Sequence, residues 1–382
     1  METLIYPEPS FTRKKSDSYV MELQNRYFNI NEEVHVVMSI LSKSFTYEEA
    51  TKKYMLSTGE NYTTEEFQGY AEEILKKFKL NEETKSFLLV EKIILPEKQT
   101  SILAKGFMFL FKPVLFWFSF ASLTLFSLFA LFVIPDHNHT GNSFEVPLLF
   151  FALIYIITLV FHELGHIAAA REFTGKNGGI GIGIYLIYPI LFSDISSIWT
   201  ATKQQKVITN LAGVYMQLGC AALLYVLGSF TDYHFFTDFS KAIMWICFIQ
   251  ILPFLRSDGY WLLSDLTNTP NLQEKSNEKF NQLFLQPNIF FKNISSSSIF
   301  LFAYGLLNTA LIVLFAFYQL KNNRELLIGF PSYLVETLQL LISGKWEEIK
   351  FNSNHMQVVL FYYLAIIYIQ KLYKMVLKFF KK

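Results

Sequence analysis

The chain has 382 residues, of which 52% are apolar, 17% aromatic and 17% charged. Soluble globular domains carry about 25% charged residues, so this composition excludes an ordinary soluble protein. The formal net charge of +1 at pH 7 provides no global attraction for nucleic acid, and we expect no nucleic-acid partner.

Charged residues are concentrated in the first part of the chain. From residue 107 to residue 161 the sequence contains only one Lys, one Asp and one Glu. We therefore expect a polar N-terminal domain over residues 1–106, followed by a polytopic membrane domain. The opening residues, METLIYPEPSFTRKK, lack the apolar core of a secretory signal, so we expect the N-terminal domain in the cytoplasm.

Three helices and one strand are predicted within the N-terminal domain. Residues 31–42 (NEEVHVVMSILS) carry apolar side chains at helical spacing. The segments 46–56 and 63–80 each begin with a capping box, in which a Thr is followed three residues later by a Glu. Residues 86–95 (SFLLVEKIIL) are typical of a strand. Together they predict a small α/β, winged-helix-like domain that binds a peptide or docks to the rest of the chain.

About six membrane-spanning helices are predicted after this domain, because each span needs about 20 mainly apolar residues. They cover residues 114–134, 144–169, 207–229, 239–256, 298–320 and 355–376. The fold class is therefore an all-α polytopic membrane protein, with a membrane core over 107–268. Residues 269–382 form a cytoplasmic loop and two further spans. The apolar stretch 326–342 contains Pro331 and Glu336, which favours an amphipathic helix at the membrane interface over a seventh span.

Basic residues near the span ends predict the orientation. The loops 135–143 and 230–238 contain no Lys or Arg, whereas 171–206 and the C-terminal tail contain several. We therefore expect both termini in the cytoplasm. The loop 321–353 is an exception, since it carries four basic residues on the predicted outer side, together with four glutamates.

The stretch LVFHELGHIA, residues 159–168, places His162, Glu163 and His166 inside an apolar run. Ionisable groups in hydrocarbon are costly unless they are paired or coordinated. Residues four apart on a helix face the same way, so the two imidazoles can bind one metal ion, and Glu163 lies beside it to accept a proton from water. The alternative is a buried polar cluster that helps helices to pack.

Asp258 is the candidate third ligand. It lies in ILPFLRSDGYWLLSDL, residues 251–266, after a long apolar run. Pro253 ends the preceding helix, and Gly259 loosens the backbone where the aspartate turns inward. The alternative is that Asp258 caps the helix that follows it.

These two motifs resemble the site-2 protease family (M50) of intramembrane zinc metalloproteases. The resemblance covers about residues 144–266, and it implies that His162, His166 and Asp258 hold Zn²⁺ while Glu163 acts as the general base in peptide-bond hydrolysis. The family often has Asn-x-x-Pro before the aspartate. Here the sequence is QILP, so Gln250 is the corresponding candidate for substrate contact.

The sequences LRSDGYWLLSDLTNTPNL and TNLAGVYMQL look like the peptide zinc metalloprotease branch of this family, and the N-terminal domain resembles PqqD-like domains that hold leader peptides. This resemblance implies maturation of a ribosomally made, modified peptide before export, in a bacterial cell membrane. The expected partners are a peptide or membrane-protein substrate, membrane lipid, and an ABC-type exporter or a peptide-modifying enzyme.

Glycines alternate with isoleucines in KNGGIGIGIYLIYPILFSD, residues 176–194. A glycine-rich extended chain exposes its backbone, so we expect Gly179, Gly181 and Gly183 to contact an extended substrate by β-pairing. The alternative is a re-entrant hairpin that plugs the site. Asp194 is expected to cap a turn, and Ala212 and Gly213 suit close approach of helices.

Two other classes of function remain open. One is a non-hydrolytic membrane accessory or immunity protein that keeps zinc for structure. The other is a regulatory protease that cleaves a membrane-tethered signalling protein. Cys220 and Cys247 are expected to be core residues, and His137 and His139 to be solvated loop residues.

Overall fold

The computed structural model describes residues 8–14, 18–23, 26–78, 88–134, 148–186, 188–231, 234–254, 256–292, 294–345 and 353–380. The described chain is mostly helical. It divides into two compact units. The first comprises Met1–Phe87, Lys92–Ile182 and Leu191–Leu263, and the second comprises Leu88–Glu91, Gly183–Ile190 and Ser264–Lys382.

The N-terminal part of the first unit begins with an antiparallel sheet and continues with three helices. The strands are β1 (Ser10–Arg13), β2 (Ser18–Leu23) and β3 (Arg26–Asn31), in the order β1-β2-β3, and the helices are α1 (Glu32–Leu41), α2 (Tyr47–Thr58) and α3 (Thr64–Phe78). The three predicted helices are confirmed. The sheet was not predicted, because its strands are short and half polar.

The helix starts and the core of this domain follow from the sequence. The Thr46 side chain accepts a hydrogen bond from the backbone N–H of Glu49, and the Thr63 side chain accepts one from the backbone N–H of Glu66, as the capping boxes predict. The core is apolar and lies between the sheet and the helices, with Met21, Leu23, Val37, Leu41 and Phe67 almost completely buried.

The predicted strand at 86–95 exists as β4 (Val90–Leu95), but it belongs to a second sheet. That sheet has the order β4-β5-β6, with β5 at Ile180–Tyr185 and β6 at Tyr188–Ser193. Each of these strands is divided between the two units. Between β4 and the first membrane helix lies the short helix α4 (Glu97–Lys105).

The membrane part of the first unit contains α5 (Pro113–Phe132), α6 (Leu148–Thr174), α7 (Lys203–Ser229), α8 (His234–Gln250) and the start of α9 (Asp258–Leu266). Helices α6 and α7 pack closely because small residues face each other. A Cβ on Gly165 would overlap the Ala212 carbonyl group of α7 and would lie 2.8 Å from Cγ of Met216.

The second unit contains α10 (Leu272–Leu285), α11 (Pro287–Lys292), α12 (Ser296–Asn322), α13 (Arg324–Ile342) and α14 (Ser353–Phe380). Pro331 lies inside α13. The apolar face of α13 contributes Leu327 and Phe330 to a small core that also contains Val358 of α14.

Within the described ranges, four helices are long and apolar enough to cross a membrane: Pro113–Phe132, Ala152–Thr174, Lys203–Ser229 and Ser296–Asn322. They support a membrane protein. The prediction of six spans is not confirmed. The predicted span 239–256 is shortened because α8 ends at Gln250 after 17 residues, and α14 offers only the shorter apolar segment Gln357–Gln370. His137 and His139 lie outside the described residues.

Candidate metal centre

His162 and His166 lie on successive turns of α6, and both are almost completely buried. Their ring centroids are 4.9 Å apart. Gly213 of α7 lies directly against them, since a Cβ at this position would overlap Nε2 of both rings. The missing side chain at Gly213 therefore creates the space that the two imidazoles occupy.

The hydrogen bond of His166 fixes the tautomer of its neutral ring. Its Nδ1 lies 2.7 Å from the backbone carbonyl oxygen of Thr209. A carbonyl oxygen can only accept, so Nδ1 carries the hydrogen and donates. In the neutral ring the lone pair is then on Nε2, the nitrogen that points toward His162.

A series of hydrogen bonds through Gln217 and Thr158 fixes the tautomer of His162. Its Nδ1 lies 3.1 Å from Oε1 of Gln217. The amide nitrogen of Gln217 donates to Oγ1 of Thr158 at 3.4 Å, and this hydroxyl donates to the carbonyl oxygen of Tyr155 at 2.8 Å. This order of donors leaves Oε1 of Gln217 as an acceptor, so His162 donates from Nδ1 and keeps its lone pair on Nε2.

Asp258 reaches the histidines from the turn between α8 and α9. The chain turns tightly after α8, with Phe254 N–H donating to the Leu252 carbonyl group at 2.8 Å. A Cβ on Gly259 would overlap the Ile251 carbonyl group, so only glycine allows the start of α9 to approach the end of α8 this closely. Asp258 is the first residue of α9, and its carboxylate oxygens lie beside the two histidine rings.

The three side chains converge on one point. Oδ2 of Asp258 lies 3.1 Å from Nε2 of His162, Oδ1 lies 3.5 Å from Nε2 of His166, and the two Nε2 atoms are 3.2 Å apart. One ligand atom from each residue lies within 4.8 Å of the others.

This geometry fits a metal ion. The carboxylate and both ring nitrogens present lone pairs to one another, and Oδ2 of Asp258 is buried without a hydrogen-bond donor in the described part of the chain. Acceptors that face each other in a buried site are costly unless a cation lies between them. Two imidazole nitrogens and a carboxylate oxygen form a donor set that suits zinc and leaves a coordination position open.

Glu163 follows His162 on α6 and is buried at 9% exposure. Successive residues on an α-helix are rotated by about 100°, so its carboxylate leaves the helix beside the histidine pair rather than with it. Glu163 therefore lies one residue from a candidate ligand, and it is not one of the three groups that converge.

The glycines of β5 lie against β4. A Cβ on Gly181 would lie 2.9 Å from the Lys92 carbonyl oxygen, and one on Gly183 would lie 2.9 Å from the Val90 carbonyl oxygen. A Cβ on Gly179, which directly precedes β5, would lie 2.6 Å from the Leu95 carbonyl oxygen. Since β5 is the middle strand of its sheet, both of its edges already have a neighbouring strand.

Gln250 is the last residue of α8, and its Oε1 atom is buried without a donor among the described residues. Asp194 accepts hydrogen bonds from the backbone N–H and the hydroxyl of Ser196 at 3.1 and 2.7 Å, which is the turn-capping role.

A polar network fixes the other end of α6. Arg171 donates to Ser101 of α4 and to Oδ1 of Asn177, and the amide of Asn177 donates to Oγ1 of Thr100 at 3.1 Å. Next to it, Nζ of Lys176 lies 2.7 Å from both carboxylate oxygens of Glu22 in β2. The N-terminal domain is thus attached to the loop that leaves the histidine helix.

Sequence reasoning assigned no role at the site to Thr209 and Gln217, and it gave Gly213 only a packing role. The signal was present, because these three residues are spaced by four along one face of an apolar helix. Such a row of polar and small residues marks the face that meets another polar site.

The chain is similar to the "Putative peptide zinc metalloprotease protein YydH" of Bacillus subtilis (strain 168), with 28% identity over 119 residues. The match covers 29% of this chain and 45% of that relative, so the chain spans less than half the length of the curated protein that it matches. No family model matches the chain, and no solved structure matches it with significance. The similarity supports a zinc metalloprotease family.

Proposed function

We propose that the chain is an intramembrane zinc metalloprotease of the site-2 type, which hydrolyses a peptide bond. One observation carries this proposal. Two imidazole lone pairs and the partly buried carboxylate of Asp258 converge on a single point, and the buried Glu163 follows His162 on the same helix. The similarity to a protein named as a peptide zinc metalloprotease supports it.

His162, His166 and Asp258 would hold the ion, and Zn²⁺ supplies Lewis acidity that polarises the peptide carbonyl group when it is bound. Glu163 takes a proton from the attacking water and returns it to the leaving amine. Thr209 and Gln217 hold the two rings so that both Nε2 lone pairs would be available to the ion. Water must reach this site from the cytoplasm, because the surrounding lipid excludes it.

Substrate contacts belong to the same proposal. Oε1 of Gln250 can accept a hydrogen bond from a substrate backbone N–H, since it is buried and lacks a donor in the described chain. Gly181 and Gly183 of β5, and Gly179 just before it, allow the close approach of a neighbouring strand, which β4 makes in this structure. An extended substrate can pair with β5 only where β4 or β6 moves away, or it can join the outer edge of one of these two strands.

The setting of the enzyme is proposed from the sequence resemblance. It is a multi-pass protein of a bacterial cell membrane with both termini in the cytoplasm. The substrate is a peptide that matures before export, and an ABC-type exporter or a peptide-modifying enzyme works with it. The N-terminal domain acts as the PqqD-like recognition domain.

Glu163→Gln tests the proposal. We expect the variant to keep its zinc, because the three ligands are unchanged, and to lose hydrolysis of a mixture of unstructured fluorescent peptides by roughly 10²–10⁴-fold, because the general base is gone. Zinc is measured by mass spectrometry on the detergent-purified protein.

Glu172→Gln is the matched control, since it makes the same change on the same helix, outside the site. It should keep both zinc and hydrolysis. If the parent protein binds zinc but Glu163→Gln retains full function in the cell, the chain is an accessory protein with structural zinc and the protease proposal fails.

A further inference from the structure

A cavity of about 340 Å³ lies in the N-terminal domain, in a part of the chain that the proposed hydrolytic site does not use. It is bounded by the start of α1, the end of α2 and the segment that follows α2. The side chains that give it its chemical character are Tyr54, Tyr62, Thr58, Glu32, Glu33 and Glu60.

One wall of the cavity is aromatic. The rings of Tyr54 and Tyr62 contact each other edge to face with centroids 5.6 Å apart, and Tyr70 stacks behind Tyr62 with centroids 6.3 Å apart. Tyr54 is only 3% exposed and belongs to the packed core, whereas Tyr62 packs against that core and is partly exposed. The faces of such rings carry negative potential and attract organic cations.

The carboxylates lie around the same space, and their charge is not balanced there. Glu48, Glu49 and Glu22 form ion pairs with lysines, but the described residues provide no such partner for Glu32, Glu33 or Glu60. Glu33 accepts a hydrogen bond from the hydroxyl of Tyr70, which holds its carboxylate in position. Three like charges around one cavity repel each other, and a bound cation removes that repulsion.

The backbone adds to this negative potential. Helix α2 ends at Thr58 with Gly59 in the left-handed conformation, so the carbonyl end of the helix lies at the cavity. The C-terminus of a helix carries a partial negative charge. Burial raises the pKa of the Tyr54 hydroxyl, and the nearby Glu60 raises it further, so the Tyr54 ring stays uncharged at neutral pH.

We propose that this cavity binds the side-chain cation of a lysine or arginine in the peptide substrate. The choice of a peptide as the carrier of the cation rests on the proposed function. A partly dry aromatic wall suits an alkyl ammonium or a guanidinium group, whereas a small hydrated metal ion prefers a shell of oxygen atoms only. The N-terminal domain would thereby select substrates by a basic residue at a distance from the cleaved bond.

The test uses the full chain carrying Glu163→Gln, so binding is measured without hydrolysis. The probe is the peptide acetyl-Gly-Gly-Lys-Gly-Gly-amide, and its neutral partner contains norleucine in place of lysine. Saturation-transfer NMR in a neutral detergent gives both affinities. We expect the lysine peptide to bind and the norleucine peptide to bind roughly fivefold more weakly or not at all.

Two pairs of variants locate the binding. Tyr62→Leu removes a ring and should weaken the lysine peptide by roughly threefold to fivefold, whereas Tyr62→Phe keeps the ring and should bind as the parent does. Glu60→Gln should weaken binding, and Glu65→Gln, an exposed carboxylate of α3 outside the cavity, should not.

Equal binding of the two peptides, or equal loss in Glu60→Gln and Glu65→Gln, would overturn the inference and show general attraction to an acidic surface. Because hydrolysis plays no part in this measurement, the protease proposal can fail while the cation site stands, and the reverse also holds.

Discussion

In the first unit the two histidines of α6 and Asp258 of α9 converge on a single point, whereas in the second unit polar side chains of α12 and α14 bond to one another. Gln319 of α12 is fully buried, donates to Gln357 of α14 at 2.9 Å and accepts from Asn323 at 2.7 Å. In both of these hydrogen bonds a side-chain amide N–H donates to a side-chain amide oxygen, so the donors and acceptors are matched.

The histidine site of the first unit is built differently. His162 and His166 use their Nδ1 atoms as donors and leave both Nε2 lone pairs facing the carboxylate of Asp258. A satisfied polar network joins membrane helices and needs no ligand. A set of acceptors that face each other is stable only with a cation between them, and this difference separates a packing network from a binding site.

The largest expected effect is at Asp258. Asp258→Asn keeps the size of the side chain but removes the negative charge of the carboxylate whose two oxygens face the two rings, so we expect zinc to fall from about one per chain to a small fraction of that. Asp265→Asn, on the same helix, is the control and should retain the parent content. Metal analysis of the purified proteins decides between them, and full zinc in Asp258→Asn would contradict the three-ligand site.

Gly213→Ala is expected to come next. Its Cβ would overlap Nε2 of both histidines, so the variant should lose zinc binding and between about 1 and 3 kcal/mol of stability. Gly219→Ala lies two turns along the same helix, where the nearest atom to its Cβ is 4.0 Å away, and should leave both unchanged. Thermal unfolding and metal content of the two variants give the comparison.

Gln217→Leu should weaken zinc by roughly 10–100-fold without abolishing it, because His162 loses the acceptor that orients its ring. Gln217→Glu keeps an acceptor at the same place and should recover part of this loss. Competition with a metal-binding dye measures the affinity. Equal affinities for the two variants would mean that the chain from Gln217 to Tyr155 does not tune the site.

In the second unit, Gln319→Leu should leave zinc unchanged and lower stability by about 0.6 kcal/mol or somewhat more, since it leaves Gln357 and Asn323 without a partner. A change in zinc content would contradict the distinction between a packing network in the second unit and a metal-binding site in the first. Chemical unfolding and metal analysis on the same sample test both statements.

The smallest expected effect is at Lys176. Burial raises the pKa of Glu22, but hydrogen bonds from Lys176 and Ser10 lower it more, and the net pKa lies below its usual value. A lowered pKa stabilises the folded state at neutral pH, and this contribution is lost as the pH falls through that pKa. Lys176→Met should therefore cost about 0.5 kcal/mol at pH 7 and less at acidic pH, measured by hydrogen exchange of β2.

Sequence patterns predicted the parts of the fold that depend on local chemistry. The capping boxes at Thr46 and Thr63 gave the correct helix starts, because capping is decided within four residues. The first sheet was missed because β1 is short and mostly exposed, so it lacks a clear apolar alternation. The strand at 90–95 was found, but its pairing with β5 depends on residues far along the chain.

The candidate site likewise contains some residues that local sequence patterns predict and others that depend on tertiary packing. His162, Glu163 and His166 could be predicted because their spacing is fixed by one helix. The approach of Asp258 to them depends on the tight turn after α8 and on Gly259, which no local pattern determines. The roles of Thr209 and Gln217 require knowledge of which face of α7 meets α6, and this is a property of tertiary packing.

The turn that carries Asp258 has a mechanical consequence. Any ion held by His166 and Asp258 ties two points of the backbone that are far apart in sequence, and it thereby encloses α7 and α8 in a ring. Such a tie restricts the unfolded chain much as a disulfide does. The bound ion would then act as a reversible cross-link of the membrane core, in a chain whose two cysteines form no disulfide.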